Sequence, residues 1–83
     1  MLRSHKKMYY CVQSCFYTDG RVEARIIRHV ARRRKPQDLY EKRRKYDIYE
    51  DWFESRSKAE MFAQGCRDIS EEERPLYYLA VTA

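Results

Sequence analysis

Apolar and polar residues alternate on both sides of Asp19-Gly20, within the run from Met8 to Val30. Asp-Gly between two β-prone runs is the strongest short-range indication of a hairpin with a two-residue type I′ turn. Such a turn fixes which residues pair across the two strands. The pairs predicted on the more apolar face are Tyr17 with Val22, Cys15 with Ala24, Gln13 with Ile26 and Tyr9 with Val30. Those predicted on the mixed face are Phe16 with Glu23, Ser14 with Arg25, Val12 with Ile27 and Tyr10 with His29.

A helix is the alternative for Val22–Ala31, because Ile26 and Val30 also lie at helical spacing. The Asp-Gly turn favours the strand, since it needs an extended partner on each side. We therefore predict a strand here, and the helix stays open as the competing interpretation.

The next segment changes character at Pro36, which lacks an amide donor and favours extended geometry in the residue before it. Pro36–Arg44 is predicted to be a polar connection, with a helical turn around Asp38–Lys42 as an option. Alternation resumes in Tyr46–Phe53, and it predicts a third strand.

A helix is predicted over Ser55–Cys66. Ser57-Lys58-Ala59-Glu60 fits a capping box, in which the Ser and Glu side chains each accept from a free backbone amide of the first turn. The apolar stripe at i, i+3, i+4 and i+7 consists of Ala59, Phe62, Ala63 and Cys66. Leu76–Val81 then predicts a closing strand, which gives an α+β fold in the order β-β-β-α-β with one helix packed on one face of a small antiparallel sheet.

The chain length of 83 residues fits one domain, predicted over residues 8–83 with residues 1–7 as a flexible leader. Charged residues make up 37% of the chain, but clustered aromatics, 14% of the residues, argue against disorder. No apolar run approaches the roughly 20 residues of a membrane span, and no signal peptide is visible. Three cysteines, an odd number, do not suit a secreted disulfide framework, so we expect a cytoplasmic protein.

Metal binding and catalysis have little support. Cys11 and Cys15 lie about 13 Å apart on a strand, too far for one zinc ion or a disulfide. The two cysteines and Cys66 are therefore predicted to be small core residues, and no metal or cofactor is expected. The other residue types considered for metal or acid–base chemistry are His5, His29, Asp47, Glu50, Asp51 and Glu54. They form no recognisable catalytic arrangement, so we expect no enzyme.

The distribution of charge along the chain can be interpreted in two ways. Arg21–Lys45 carries eleven Lys and Arg residues against three acids, whereas Asp47–Glu73 carries nine acids against three bases. A basic loop over residues 32–45 can contact successive phosphates of a nucleic acid, with stacking on the rings of Tyr10, Phe16 and Tyr40. The candidate residues for an anionic partner are Arg25, Arg32, Arg33, Arg34, Lys35, Lys42, Arg43 and Arg44.

The same charges can instead face the acidic segment, within the chain or across a homodimer. On that reading the protein is a non-catalytic binding module for a protein partner or for a second copy of itself, and nucleic-acid binding is the alternative. The candidate protein-contact residues are Tyr49, Trp52 and Phe53.

A resemblance is carried by Tyr9-Tyr10, by Asp19–Ile26 and by Tyr46–Phe53 followed by a Ser-x-x-Glu helix start. In these motifs, over roughly residues 9–66, the chain resembles short uncharacterised proteins of gut bacteria and their mobile elements. The resemblance implies a bacterial, cytosolic accessory protein, and it implies no catalytic activity.

Overall fold

The computed structural model describes residues 5–69. Four strands precede one helix in this part of the chain, and the strands form one antiparallel sheet in the order β2-β1-β4-β3. The elements are β1 (Lys7–Tyr17), β2 (Val22–Arg32), β3 (Leu39–Lys42), β4 (Tyr46–Phe53) and α1 (Arg56–Asp68). The α+β class and the antiparallel sheet are confirmed, and Val22–Ala31 is a strand rather than a helix.

The predicted order β-β-β-α-β is wrong for the described residues, because α1 follows four strands. The additional strand is β3, which occupies the segment predicted as a polar connection. All four of its residues are exposed, so no apolar periodicity signals it, and its pairing with β4 creates it. The predicted closing strand Leu76–Val81 lies outside the described residues, as do residues 1–4 of the predicted leader; β1 begins at Lys7.

The β1–β2 hairpin has a three-residue loop rather than the predicted two-residue turn. Tyr17 donates its amide to the Arg21 carbonyl at 2.9 Å, and Gly20 donates to the Tyr17 carbonyl at 3.1 Å. Gly20 has φ 96°, the left-handed conformation that closes a three-residue loop with a bulge. The register near the loop is therefore displaced by one residue, and Phe16 rather than Tyr17 pairs with Val22.

A second bulge in β2 restores the predicted register further from the loop. Val12 pairs with Ile26 and Cys11 pairs with Arg28, so Ile27 is the extra residue. A bulge adds one residue to one strand and changes which side chains share a face. Beyond it, Tyr9 pairs with Val30 as predicted.

Helix α1 begins one residue after Ser55, whose hydroxyl accepts from the Lys58 amide at 3.1 Å. Ser55 is therefore the N-cap, and the capping box predicted at Ser57 is wrong. Glu60 instead accepts from Arg56, one turn earlier, at 3.1 Å. The predicted apolar stripe is confirmed, since its three small residues are buried in the core and Phe62 packs against it.

Replacing Ser55 with alanine should destabilise the protein by about 1 kcal/mol, because the first turn of α1 loses a side-chain acceptor. Urea denaturation followed by circular dichroism measures the change. Ser57→Ala is the matched control, and its effect should stay within about 0.5 kcal/mol. Equal losses for the two variants would contradict Ser55 as the cap.

The sheet has an apolar cluster on each face. The helix-facing cluster joins β1, β2 and β4 to α1 and contains Val12, Phe16, Ala24, Tyr49, Ala59, Ala63 and Cys66. The cluster on the opposite face, here called the outer face, consists of Tyr9, Cys11 and Trp52, with Ile27 and Val30 packed against it. Because side chains alternate along a strand, β1 supplies even-numbered residues to the helix side and odd-numbered residues to the outer face.

Among the described residues, no helix is both long and apolar enough to cross a membrane.

Candidate functional site

The three residues predicted to contact a partner protein pack within the fold. Tyr49 is 8% exposed and Trp52 is 6% exposed, each in one of the two apolar clusters. Phe53 is half-buried, and its ring lies 4.9 Å from the Phe62 ring of α1. Side chains in these positions stabilise the sheet, and a contact with a partner protein stays a prediction.

The basic segment 32–45 does not form one patch. Arg32 ends β2 opposite Lys7, whereas Lys42–Lys45 lie in and beside the β3–β4 turn, near Tyr17. The Thr18 amide donates to the Lys45 carbonyl at 3.0 Å, which joins this turn to the β1–β2 loop. The two halves of the segment therefore lie at opposite ends of the sheet.

The first half of the basic segment, Arg32–Lys35, belongs to a group of cations here called the basic end. Its members are Lys6, Lys7, Arg32, Arg33, Arg34 and Lys35, all of them exposed. Lys6 and Arg32–Arg34 line a shallow groove with Ala31. Within residues 5–69 none of these six side chains forms a salt bridge. Six exposed cations without a salt bridge in the described residues give this end a positive potential, although Lys35 lies close enough to Asp51 to interact with it.

The second half of the basic segment belongs to a group of cations here called the turn end. This group consists of Arg21 and Lys42–Lys45. Arg21 lies over the Tyr17 ring at 4.3 Å and forms a 3.0 Å salt bridge with Asp19. Arg43 pairs with Glu41 at 2.8 Å. Lys42, Arg44 and Lys45 have no salt bridge in the described part of the chain. The turn end is thus positive but partly neutralised.

Arginines of β2 connect the two ends along the outer face. Arg25 pairs with Gln13, Arg28 pairs with Cys11, and Arg32 pairs with Lys7. Their odd-numbered partners on β1 belong to the outer face, so these arginines lie on it too. Together with Arg21 they form a row, here called the arginine stripe, along the margin of the sheet. Glu23, which pairs with Cys15 and accepts from the Tyr17 hydroxyl at 2.6 Å, interrupts this row between Arg21 and Arg25.

The acidic strand neutralises only the centre of this stripe. Glu50 accepts from Arg28 at 2.7 Å and from Gln13 at 3.3 Å, and its side chain is only 16% exposed. Arg28 also lies 5.4 Å from the centre of the Trp52 ring. Glu50 therefore holds Arg28 against the sheet, whereas Arg25 and Arg32 have no salt bridge among residues 5–69.

The three cysteines are free and buried, as predicted. Burial, reinforced by the negative charge of Glu50, raises the pKa of the Cys11 thiol to about 11. Burial likewise raises the pKa of Cys15. Thiols with raised pKa values are poor nucleophiles at neutral pH. No group of three or more metal-ligating side chains occurs in the described range.

The aromatic rings predicted to stack on bases have other positions. Phe16 is 3% exposed in the helix-facing cluster, and Tyr10 packs beside that cluster and against His29 at 6.0 Å. Tyr40 is 55% exposed, but one side of its ring is stacked on Tyr49 at 4.8 Å. These three rings therefore do not line the arginine stripe, which lies on the other face of the sheet.

Sequence reasoning missed Lys6, Lys7, Arg21 and Arg28 as members of the same basic surface. The spacing of arginines in β2 was visible, but the bulge at Ile27 decides which of them share a face. Only a correct register would have grouped Arg28 and Arg32 with Arg25.

Comparison of the chain with protein-family models, curated proteins and solved structures gives no match.

Proposed function

We propose that the protein is a non-catalytic module that binds nucleic acid through the arginine stripe and the two basic groups at its ends. The observation that supports this best is the basic end, where six exposed cations have no salt bridge within residues 5–69. Clustered cations at one end of a sheet, with no salt bridge among the described residues, suit a polyanion, because no ion pair of that part of the chain has to break first.

Binding of this kind should depend strongly on salt, because each phosphate that is neutralised releases counterions. For about five phosphate contacts on DNA, the slope of log K against log salt is about −4.5. The affinity should then fall about 500-fold between about 50 and about 200 mM salt. Fluorescence anisotropy with labelled DNA and RNA of mixed sequence measures both quantities.

Charge reversal separates this surface from the overall positive charge. Arg25→Glu combined with Arg33→Glu should weaken binding and make the salt slope shallower by about two. Lys58→Glu reverses a single charge on the exposed side of α1, away from this surface, and as the control it should leave the slope almost unchanged. If all these variants bind equally well, or if the wild-type protein binds no nucleic acid at low salt, the proposal fails.

A protein partner or a second copy of the chain is the other candidate, and one observation favours it. β3 is a short edge strand of the described sheet, where Leu39 is 46% exposed and Tyr40 is 55% exposed. Exposed strand edges can pair with another strand. Light scattering over a wide concentration range tests self-association, and a monomer throughout would exclude it.

The setting of this module is also a proposal. The cysteine content and the resemblance to short proteins of gut bacteria and their mobile elements support a cytoplasmic accessory role in a bacterium. The burial of the three thiols is compatible with a reducing compartment.

A further inference from the structure

The two ends of the arginine stripe are separated by the length of β1. This strand has 11 residues, with Lys7 at the basic end and Tyr17 at the turn end. At about 3.3 Å per residue, its ten steps span roughly 33 Å. The sheet is continuous between the two ends, so this spacing is built into the fold.

The same distance recurs in double-stranded DNA. Equivalent positions on one side of B-form DNA repeat every helical turn, about 34–36 Å. A rigid surface with cations at both ends of such a distance can contact phosphates one turn apart, and the stripe between them faces the intervening groove. A flexible single strand offers no fixed repeat to match.

The aromatic rings of the outer face are also poorly placed to stack on the bases of a single strand. Proteins that bind single strands combine a basic groove with exposed aromatic rings, on which bases stack. On the outer face, Tyr9 is 3% exposed and Trp52 is 6% exposed, with Arg28 over the Trp52 ring. Their rings are therefore occupied by the fold. Tyr17, on the same face, is covered by Arg21 at 4.3 Å and packs against Tyr46 at 5.2 Å, so phosphate contacts remain as the main source of affinity.

We propose that the substrate is double-stranded DNA and that the protein spans one helical turn, with the basic end and the turn end on phosphates one turn apart. This inference rests on the proposed function, and it adds the substrate class and the length of the contact.

Binding to duplexes of graded length tests the span. Anisotropy titrations use labelled DNA duplexes of about 6, 12 and 24 base pairs, the single strands of the same sequences and a 12-base-pair RNA duplex, since one turn holds about 10 base pairs. A 12-base-pair DNA duplex should bind at least about 100-fold more tightly than a 6-base-pair one, because both ends engage one molecule. The gain from 12 to 24 base pairs should be small and reflect only the number of available positions.

Variants at each end supply the decisive comparison. R33E/R34E removes charge from the basic end, and R44E/K45E removes charge from the turn end. Either variant should show a much smaller difference in affinity between DNA lengths, because the end with two reversed charges contributes far less to binding. Lys58→Glu should keep the wild-type length dependence, and circular dichroism verifies that each variant is folded.

The outcomes distinguish this inference from the proposed function. If nucleic acid is bound but single strands, 6-base-pair and 12-base-pair duplexes bind equally, the one-turn span is wrong and the proposed function stands. Preference for the RNA duplex, or length dependence that persists in both end variants, also overturns the inference. The absence of any binding at low salt overturns both.

Discussion

Replacement of Phe16 with alanine should leave the protein largely unfolded at physiological temperature. The ring is 3% exposed, lies edge-on to Tyr49 at 5.8 Å and fills the centre of the helix-facing cluster. Loss of a buried Phe side chain costs about 3–5 kcal/mol, partly through the cavity that remains. A domain of this size has a total stability of only about 4–12 kcal/mol, and a small core favours the lower part of that range.

Thermal denaturation by circular dichroism measures this effect. We expect a fall in Tm of at least about 12 °C for Phe16→Ala, since 1 kcal/mol corresponds to about 4–8 °C in a domain of this length. Met61→Ala is the control, because that side chain is 73% exposed and its loss should change stability by no more than about 0.5 kcal/mol. A shift below about 5 °C for Phe16→Ala would contradict the central position of this ring.

The second large effect is a loss of stability as pH rises from about 4 to about 6, caused by Asp51. Burial, with a smaller effect from the nearby Asp38 carboxylate, raises the pKa of Asp51 from 3.8 to about 6, although Lys35 opposes the shift. Its Oδ2 atom is buried without a hydrogen-bond partner in the described residues. Ionisation of Asp51 in the folded protein is therefore unfavourable.

The sign follows from proton uptake. Between pH 4 and pH 6 the folded protein keeps a proton on Asp51 that the unfolded chain has released, so the free energy of unfolding decreases as pH rises. A change of about two pKa units corresponds to at most about 3 kcal/mol, and partial solvation reduces it. The destabilisation by ionised Asp51 is therefore nearly absent below about pH 4 and approaches its full value above about pH 6.

Asp51→Asn should remove this dependence. Because the amide cannot ionise, we expect the variant to be more stable than the wild type by about 1–2 kcal/mol at pH 7.5, and to lose that advantage at pH 4. Urea denaturation across this pH range gives the difference in free energy of unfolding between the variant and the wild type as a function of pH. Glu54→Gln, at an exposed position of the same chain, is the control for the loss of one carboxylate. A variant that is less stable than the wild type at pH 7.5 would show that the Asp51 carboxylate is stabilised in the fold.

Local patterns in the sequence predicted most of the elements. The strand Tyr46–Phe53 has the predicted bounds, and the stripe on α1 packs as its spacing indicates. These elements carry their own apolar periodicity, which is why sequence alone finds them. β3 carries none, because it depends on pairing with β4 and lies at the edge of the sheet.

Register was harder to predict, and the candidate site depended on it. The loop after Tyr17 and the bulge at Ile27 each displace the pairing by one residue, in opposite senses. Neither has a unique sequence signature, since Asp19-Gly20 suits both a two-residue turn and a three-residue loop. The basic residues were identified from composition, but their division between two ends of the sheet required the order of the strands.

The bulge at Ile27 also determines how the charge of β2 is distributed in space. Without the extra residue, strict alternation would place Arg28 and Arg32 on the helix side, away from Arg25. The net charge of +5 would be the same, but the positive surface would be divided between the two faces of the sheet. Two chains with identical composition would then present different surfaces to a polyanion. The distribution of positive charge on this protein therefore depends on which face of the sheet each arginine of β2 lies on, as much as on the number of arginines.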